Sequence, residues 1–341
     1  MSFVLAGIDE AGYGPTLGPL CVGMTAFEVP PGEGGTVPCL WRVLSRAVCR
    51  EAGRGGKPGT GGRIPVADSK QLKLSSSVTT THPLVHLERG VLCMARCLGE
   101  PASPSTDLEL FALLGAAVPG PHCYAGGASA IPCGQDAGRL GIQANLLAGA
   151  VQDAGVRVHA MRCRVMDERE FNAVAGAADN KAATTALAVG EHLRWLWERH
   201  AGVDGEGRAR LGVVCDRLGG RAAYSDLLTA AVPGVTVTVV EESDVRSRYI
   251  VERRGERRMG VSFLVEGEQS HMPVALASMV AKYVRELCMA RFNRGWSAAA
   301  RDLAGLELKP TAGYAQDARR WLHDARGVLT GEDRAELVRR Y

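Results

Sequence analysis

The chain has 341 residues, enough for two domains at most or for one domain carrying large insertions. Apolar residues make up 46% and aromatics only 5%, which excludes a disordered chain and calls for a core of mostly Ala, Val and Leu. With 40 basic and 37 acidic side chains the net charge is +3, so any nucleic-acid surface must be a local patch.

The N-terminal Met-Ser-Phe-Val-Leu-Ala lacks the basic start and the longer apolar run of a signal peptide. No apolar run approaches the roughly 18 residues that cross a bilayer, so a cytoplasmic protein without membrane contact is expected. Residues 3–8 are a short apolar run of the kind that forms a buried strand, and 20–29 are its expected antiparallel return. A helix is expected over 40–52. The Gly-rich stretch 53–63 then reads as a flexible surface loop. It is not a phosphate-binding loop of the strand-to-helix type, because Lys57 is followed by Pro and no helix opens there.

Helices are expected over 82–98 and 106–117, with the Pro- and Gly-rich stretches 99–105 and 119–138 as loops of an insertion. Residues 156–165 alternate as a strand. Residues 180–200 form an amphipathic helix, with Leu187, Leu193, Leu196 and Trp197 toward the core. After a Gly-rich link at 202–207, residues 211–215 are a buried strand that ends at Asp216, followed by Gly219-Gly220. A helix (224–231), a strand (235–240) and a basic hairpin (249–265) come next. Pro273 opens a helix to about residue 292, and helices continue to the C-terminus. The alternation of strands and helices points to an α/β sheet covered by helices. The ten cysteines, with no Cys-x-x-Cys among them, read as buried small hydrophobes rather than as a zinc site or a disulfide framework.

Two acids, Asp9 and Glu10, stand where an apolar strand ends, and Asp216 ends another. Buried carboxylates are costly unless they are solvated, paired or holding a cation. A strand sends neighbours to opposite faces, so Asp9 and Glu10 are expected to converge only if the chain bends at Ala11-Gly12-Tyr13-Gly14-Pro15. Carboxylates with no His or Cys among them suit a hard cation such as Mg²⁺ or Mn²⁺, and such ions serve phosphodiester chemistry. Each acid taken singly is equally consistent with a turn or a helix cap.

The motif Gly7-Ile8-Asp9-Glu10-Ala11-Gly12-Tyr13-Gly14-Pro15, with Gly18-Pro19, resembles the opening G-I-D-E-A-G-R-G-P of the type 2 ribonuclease H (ribonuclease HII) family. Asp68-Ser69-Lys70-Gln71-Leu72 is similar to its D-S-K-K-L, Asp216-Arg217-Leu218-Gly219 to its D-x-x-G, and residues 277–286 to its A-S-I-V-A-K-V-T-R-D; Gly313-Tyr314 matches a late G-Y. The order agrees, over about half of the chain. The resemblance implies a ribonuclease-H-like mixed sheet flanked by helices over 1–292, with insertions at about 28–66 and 75–155, and a helical C-terminal region over 293–341.

It further implies a monomeric endonuclease that cuts the RNA strand of RNA–DNA hybrids, leaving a 3′-hydroxyl and a 5′-phosphate. Two Mg²⁺ or Mn²⁺ ions would be held by Asp9, Glu10, Asp216 and Glu286. Gly12, Tyr13, Gly14, Lys70, Ser278, Lys282 and Tyr314 would contact substrate. Ser278, Lys282 and Glu286 recur every four residues, so one helix face presents all three; a surface Lys–Glu helix pair is the plainer reading.

Departures from the pattern are Glu286 where the family has Asp, and Tyr13 where it has a basic residue. In addition Gly267-Glu268-Gln269-Ser270 stands for G-D-A-K, and Ala315-Gln316 follows Tyr314 in place of Gly-Thr. Should Glu286 fail, the fourth ligand is expected at Asp244 or Glu268. Arg246, Arg248, Arg253, Arg254, Arg257 and Arg258, diluted by Glu252 and Glu256, form either a solvated hairpin or a phosphate-contacting arm. A non-catalytic or altered-specificity nucleic-acid-binding relative of the same fold is the rival reading.

Overall fold

The apolar run at the N-terminus forms strand β1 (Phe3–Ala11), and β2 (Leu20–Val29) returns antiparallel beside it. The computed structural model describes the chain except residues 1, 54–55, 76–79, 100–102, 204, 206, 220, 254–256 and 341. Gly220, Arg254, Glu256 and parts of the Gly-rich stretches 53–63, 99–105 and 202–207 therefore lie outside the described residues.

Next in the chain are α1 (Leu40–Val43), β3 (Val48–Cys49), β4 (Ile64–Pro65), α2 (Ser69–Leu72), α3 (Val85–Ala95), α4 (Asp107–Leu113) and α5 (Ala137–Asp153). They are followed by β5 (Arg157–Met166), α6 (Glu168–Ala178), α7 (Ala182–His200), β6 (Leu211–Asp216), α8 (Ser225–Ala231) and β7 (Thr236–Glu242). The hairpin β8 (Arg246–Arg253) and β9 (Arg257–Leu264) leads into α9 (Gly267–Ser270), α10 (Met272–Ala304), α11 (Ala315–Asp324) and α12 (Gly331–Leu337).

The main sheet has seven strands in the order β5-β2-β1-β6-β9-β8-β7. β1, β6 and β9 run parallel, and antiparallel neighbours flank them, so the sheet is mixed, with helices on both faces as expected. One core lies on the face covered by α10 and holds residues of α3, α4, α5 and α11. The other lies under α6, α7 and α8. β1 shows why: Ala6 and Ile8 join the second core while Phe3 and Leu5 pack on the first, the period-2 alternation of a strand buried on both faces.

Helix α10 presses directly on β1 and β2. A Cβ at Gly7 would lie 2.2 Å from the carbonyl carbon of Pro273, and one at Gly23 would lie 2.2 Å from the Ala277 carbonyl oxygen. The two glycines let the helix backbone come this close, and the Thr25 hydroxyl donates to the Pro273 carbonyl at 2.8 Å.

Several expected elements differ. The helix over 40–52 stops at Val43, because Val48 and Cys49 are drawn into parallel pairing with Ile64 and Pro65. Leu187, expected in the core, is 42% exposed, whereas Leu193, Leu196 and Trp197 are buried. The helix expected to end near residue 292 runs on to Ala304, so the boundary at 292/293 falls inside it. Its Phe292 and Trp296 pack on Trp321 of α11 in the same core.

The described helices within 75–155 pack into the first core. All of α3 is buried, and Arg291 of α10 makes a fully buried two-pronged ion pair with Asp107 at 2.8 and 3.0 Å. α5 was not expected at all. All ten cysteines are free; six are buried as read, whereas Cys39 and Cys133 are exposed and Cys49 and Cys97 half-buried. Among the described residues no helix is long and apolar enough to cross a membrane.

Candidate active site

The last paired residues of β1 and β6 are Ile8 and Cys215. Asp9 and Asp216 are the next residue of each strand, and parallel neighbours lie about 4.8 Å apart. Alternation sends Ala6 and Ile8, like Val213 and Cys215, to the α6–α8 core. Asp9 and Asp216 therefore share the opposite face, under α10, at the C-terminal edge where ligands of α/β sheets bind.

Pairing with β2 continues through Asp9–Gly23, Glu10–Val22 and Ala11–Cys21, so the bend comes after both acids, inside the expected Ala11–Pro15 segment. Glu10 consequently leaves on the other face, but at the strand end it still feels Asp216. The chain turns only at Gly12, whose φ is +90°.

These acids shape one another's ionisation. Burial pushes Asp9 well above the usual carboxylate range, and the charges of Glu10 and Asp216 add to this; the Ser278 hydroxyl and the Glu10 N–H, 2.7 Å from Oδ1, oppose it. Burial, then Asp216, pushes Glu10 up to about 7, with Lys70 opposing. Asp216 is raised mainly by burial although it accepts the Gly267 N–H at 3.1 Å. Glu268 is also raised, by burial and by the nearby Asp216. Burial works against the Lys70 ammonium, yet Asp68, Asp9, Glu268 and Asp216 together hold its proton more tightly than usual. Asp9, Glu10, Asp216, Glu268 and Lys70 thus form one electrostatic cluster.

Glu286 has other partners. Its carboxylate lies 2.7 Å from the Lys73 ammonium and 2.9 Å from that of Lys282. Burial would raise its pKa, but these two lysines hold it below the usual range. Ser278 and Glu286 are eight residues apart on α10, about 12 Å along the axis, so the helix that sets Ser278 on Asp9 carries Glu286 away. The structure thus makes Glu286 the shared counter-charge of two lysines, and it is Glu268, at the start of α9, that stands beside Asp216. Sequence reasoning named Glu268 only as a fallback, because Gly267-Glu268-Gln269-Ser270 matches the family pattern poorly.

The remaining expected contacts surround this edge. Gly14 is exposed with open space about it. The Tyr13 ring is capped by the Lys181 ammonium at 4.5 Å, which sets a cation beside the Gly12–Gly14 loop. Tyr314 is 45% exposed, with the Lys282 ammonium 5.8 Å and the Arg285 guanidinium 5.3 Å from its ring centre. The Ser278 and Ser69 hydroxyls lie 3.0 Å apart in a hydrogen bond, tying α10 to the Asp68–Leu72 motif. Arg339, near the end of the chain, donates to the Gly12 carbonyl at 2.5 Å. Lys73, Lys181 and Arg339 carry no motif, and sequence reasoning missed them.

Among the described residues no three His, Cys, Asp or Glu side chains are drawn into a formed metal cage. The donor set nevertheless fits a hard cation. It consists of carboxylate oxygens alone, like charges crowd one another there, and Glu268 Oε2 is buried with no hydrogen-bond partner among the described residues. A divalent ion would remove both penalties.

The basic hairpin is largely engaged with its own surroundings. Arg246 pairs with Glu241 at 2.7 Å, and Arg253, Arg257 and Arg258 donate to the carbonyls of Pro233, Trp197 and Gly207. This favours the solvated hairpin.

No family model and no curated protein matches the chain. Similar solved structures are ribonucleases HII and HIII. A variant of Bst-RNase HIII aligns over 99% of this chain and 66% of its own, with 17% identity and a TM-score of 0.43. Bst-RNase HIII in complex with Mn²⁺ aligns over the same shares at 14% and 0.41. The RNase HII of a PCNA complex from Archaeoglobus fulgidus aligns over 99% and 94% at 15% and 0.41. The chain thus spans slightly less than two thirds of the Bst proteins.

Proposed function

We propose that this protein is an endonuclease that hydrolyses the RNA strand of RNA–DNA hybrids with the help of Mg²⁺ or Mn²⁺, leaving a 3′-hydroxyl and a 5′-phosphate. The observation that carries the reading is the parallel pairing of β1 and β6, which seats Asp9 beside Asp216 with Glu10 and Glu268 in the same field. In this reading Asp9, Glu10, Asp216 and Glu268 would hold the ions, and Glu286 would serve the two lysines it pairs with. Two such ions, when bound, supply Lewis-acid polarisation of the phosphodiester and an activated water.

The chain's own groups do the rest. Lys70, aimed at the carboxylates, is placed to meet a backbone phosphate. The Gly12 and Gly14 backbone offers polar contacts to a ribose hydroxyl, and the exposed Tyr314 ring offers a face for a sugar. Glu286 holds Lys73 and Lys282 in position on the same side. Incubation of an end-labelled hybrid with Mg²⁺, beside the same sequence as duplex DNA, tests the reading. RNA-strand fragments with 3′-hydroxyl ends are expected from the hybrid alone. Tight hybrid binding with no cleavage in either metal would instead establish a non-catalytic relative.

A further inference from the structure

A second cationic site lies away from the carboxylates, in the region read from sequence as an insertion. A cavity of about 560 Å³ opens between the Gly-rich segment, the start of α3 and the start of α5. At its wall is Arg89, only 5% exposed. The guanidinium donates to the Gln143 side-chain carbonyl at 3.1 Å and to the Gly56 carbonyl at 2.9 Å, and it meets His86 Nδ1 at 3.1 Å.

All three partners are neutral. Burial and Arg89 itself push His86 down to about 4, so it stays uncharged at neutral pH. Arg89 has no ion-pair partner among the described residues. A guanidinium has five N–H groups, and these contacts engage three of them. Burial holds the guanidinium below its usual range, outweighing the charge of the buried neighbour Glu88, which eases that of Arg89; an anion entering the cavity would complete the compensation.

The rim has the matching sign. Lys57 and Arg139 line the same cavity in exposed positions, together with His82. The carboxylate on its wall, Asp136, accepts the Arg139 backbone N–H at 2.8 Å as the cap of α5. Three cations thus face one acid. We propose that this cavity binds a phosphate group, with Arg89 at its base and Lys57 and Arg139 at its mouth. The Gly-rich segment, which fails as a strand-to-helix phosphate loop, contributes Lys57 and the Gly56 carbonyl that orients Arg89. The same chemistry serves a free phosphorylated small molecule or a backbone phosphate of nucleic acid. The Leu74 N–H donates to Pro83 at 3.0 Å, so the segment that walls the cavity is tied beside Lys73.

The test uses the full-length protein and the double variant Lys57→Ala/Arg139→Ala, whose exposed side chains can be removed without opening the core. Titration calorimetry with inorganic phosphate and with a 5′-mononucleotide is run against chloride at matched ionic strength, and hybrid affinity is measured across a salt series. Phosphate binding to the parent, at least tenfold weaker in the double variant, is expected. If hybrid affinity also falls in the double variant and its salt slope shrinks by about two, the phosphate belongs to nucleic acid. If the mononucleotide binds more tightly than phosphate and hybrid affinity is unchanged, it belongs to a small molecule. Absence of phosphate binding beyond the chloride control, or equal binding by both proteins, overturns the proposal and leaves Arg89 a structural tie among three segments.

Discussion

Glu10→Gln should make the metal-free protein more stable at pH 8 and leave it unchanged in acid. In the folded chain Glu10 releases its proton near 7, against 4.5 for a free glutamate, because burial and Asp216 disfavour its charge. The folded state therefore binds this proton more tightly than the unfolded state. The stability it contributes is full below about 4.5 and is lost as pH rises through about 7. The gap corresponds to at most ~3 kcal/mol at 1.36 kcal/mol per tenfold. Since Asp9, Asp216 and Glu268 share the field, removing one charge also eases the others, and ~1–3 kcal/mol is the expected gain. Urea unfolding in EDTA from pH 4 to pH 9 reads it as a difference between parent and variant that opens between pH 5 and 7. With Mg²⁺ the order should narrow or reverse, because the ion stabilises the protein that binds it better. A pH-independent difference, or a variant less stable at pH 8, would refute the crowded-carboxylate picture.

Glu268→Gln and Glu286→Gln should separate cleanly. The first is expected to lower cleavage by on the order of tenfold or more and to raise the metal concentration needed, read in a Mg²⁺ titration. The second should keep the parent's metal response but lose ~1–3 kcal/mol of stability, because Lys73 and Lys282 lose their shared partner. Its carboxyl is held below the usual range, so this loss should be present near neutral pH and fade as pH falls through the folded pKa, as urea midpoints will show. Gly7→Ala should cost roughly 1–3 kcal/mol or more, since the added methyl meets the Pro273 backbone at 2.2 Å; a variant melting with the parent would contradict the close helix–strand approach.

The two strand-end acids were legible because an apolar strand followed by an acid is a local pattern, and the sheet edge on which they meet follows from parallel pairing. The surroundings of Glu286 were not. Glu286 fits a helical spacing, but what it touches is settled by Lys73 arriving from a segment 213 residues earlier, which no spacing on the helix encodes. α5 escaped notice for a related reason. Gly138, Gly141 and Gly149 weaken its helical signal, whereas the cap at Asp136 and the buried Leu140, Ala144, Leu147 and Val151 at helical spacing were there to be read. Cationic contacts such as Lys181 on Tyr13 pair residues distant in sequence, and only packing reveals them.

A single gel addresses the proposed chemistry at its source: a hybrid labelled on its RNA strand, incubated with the parent and with Asp216→Asn, in Mg²⁺, in Mn²⁺ and in EDTA. Metal-dependent RNA cleavage by the parent, abolished in Asp216→Asn while that variant still shifts the hybrid in a binding gel, is expected. Cleavage at the parent rate by Asp216→Asn, or cleavage by the parent that persists in EDTA, would contradict a metal-dependent site built on Asp9, Glu10, Asp216 and Glu268.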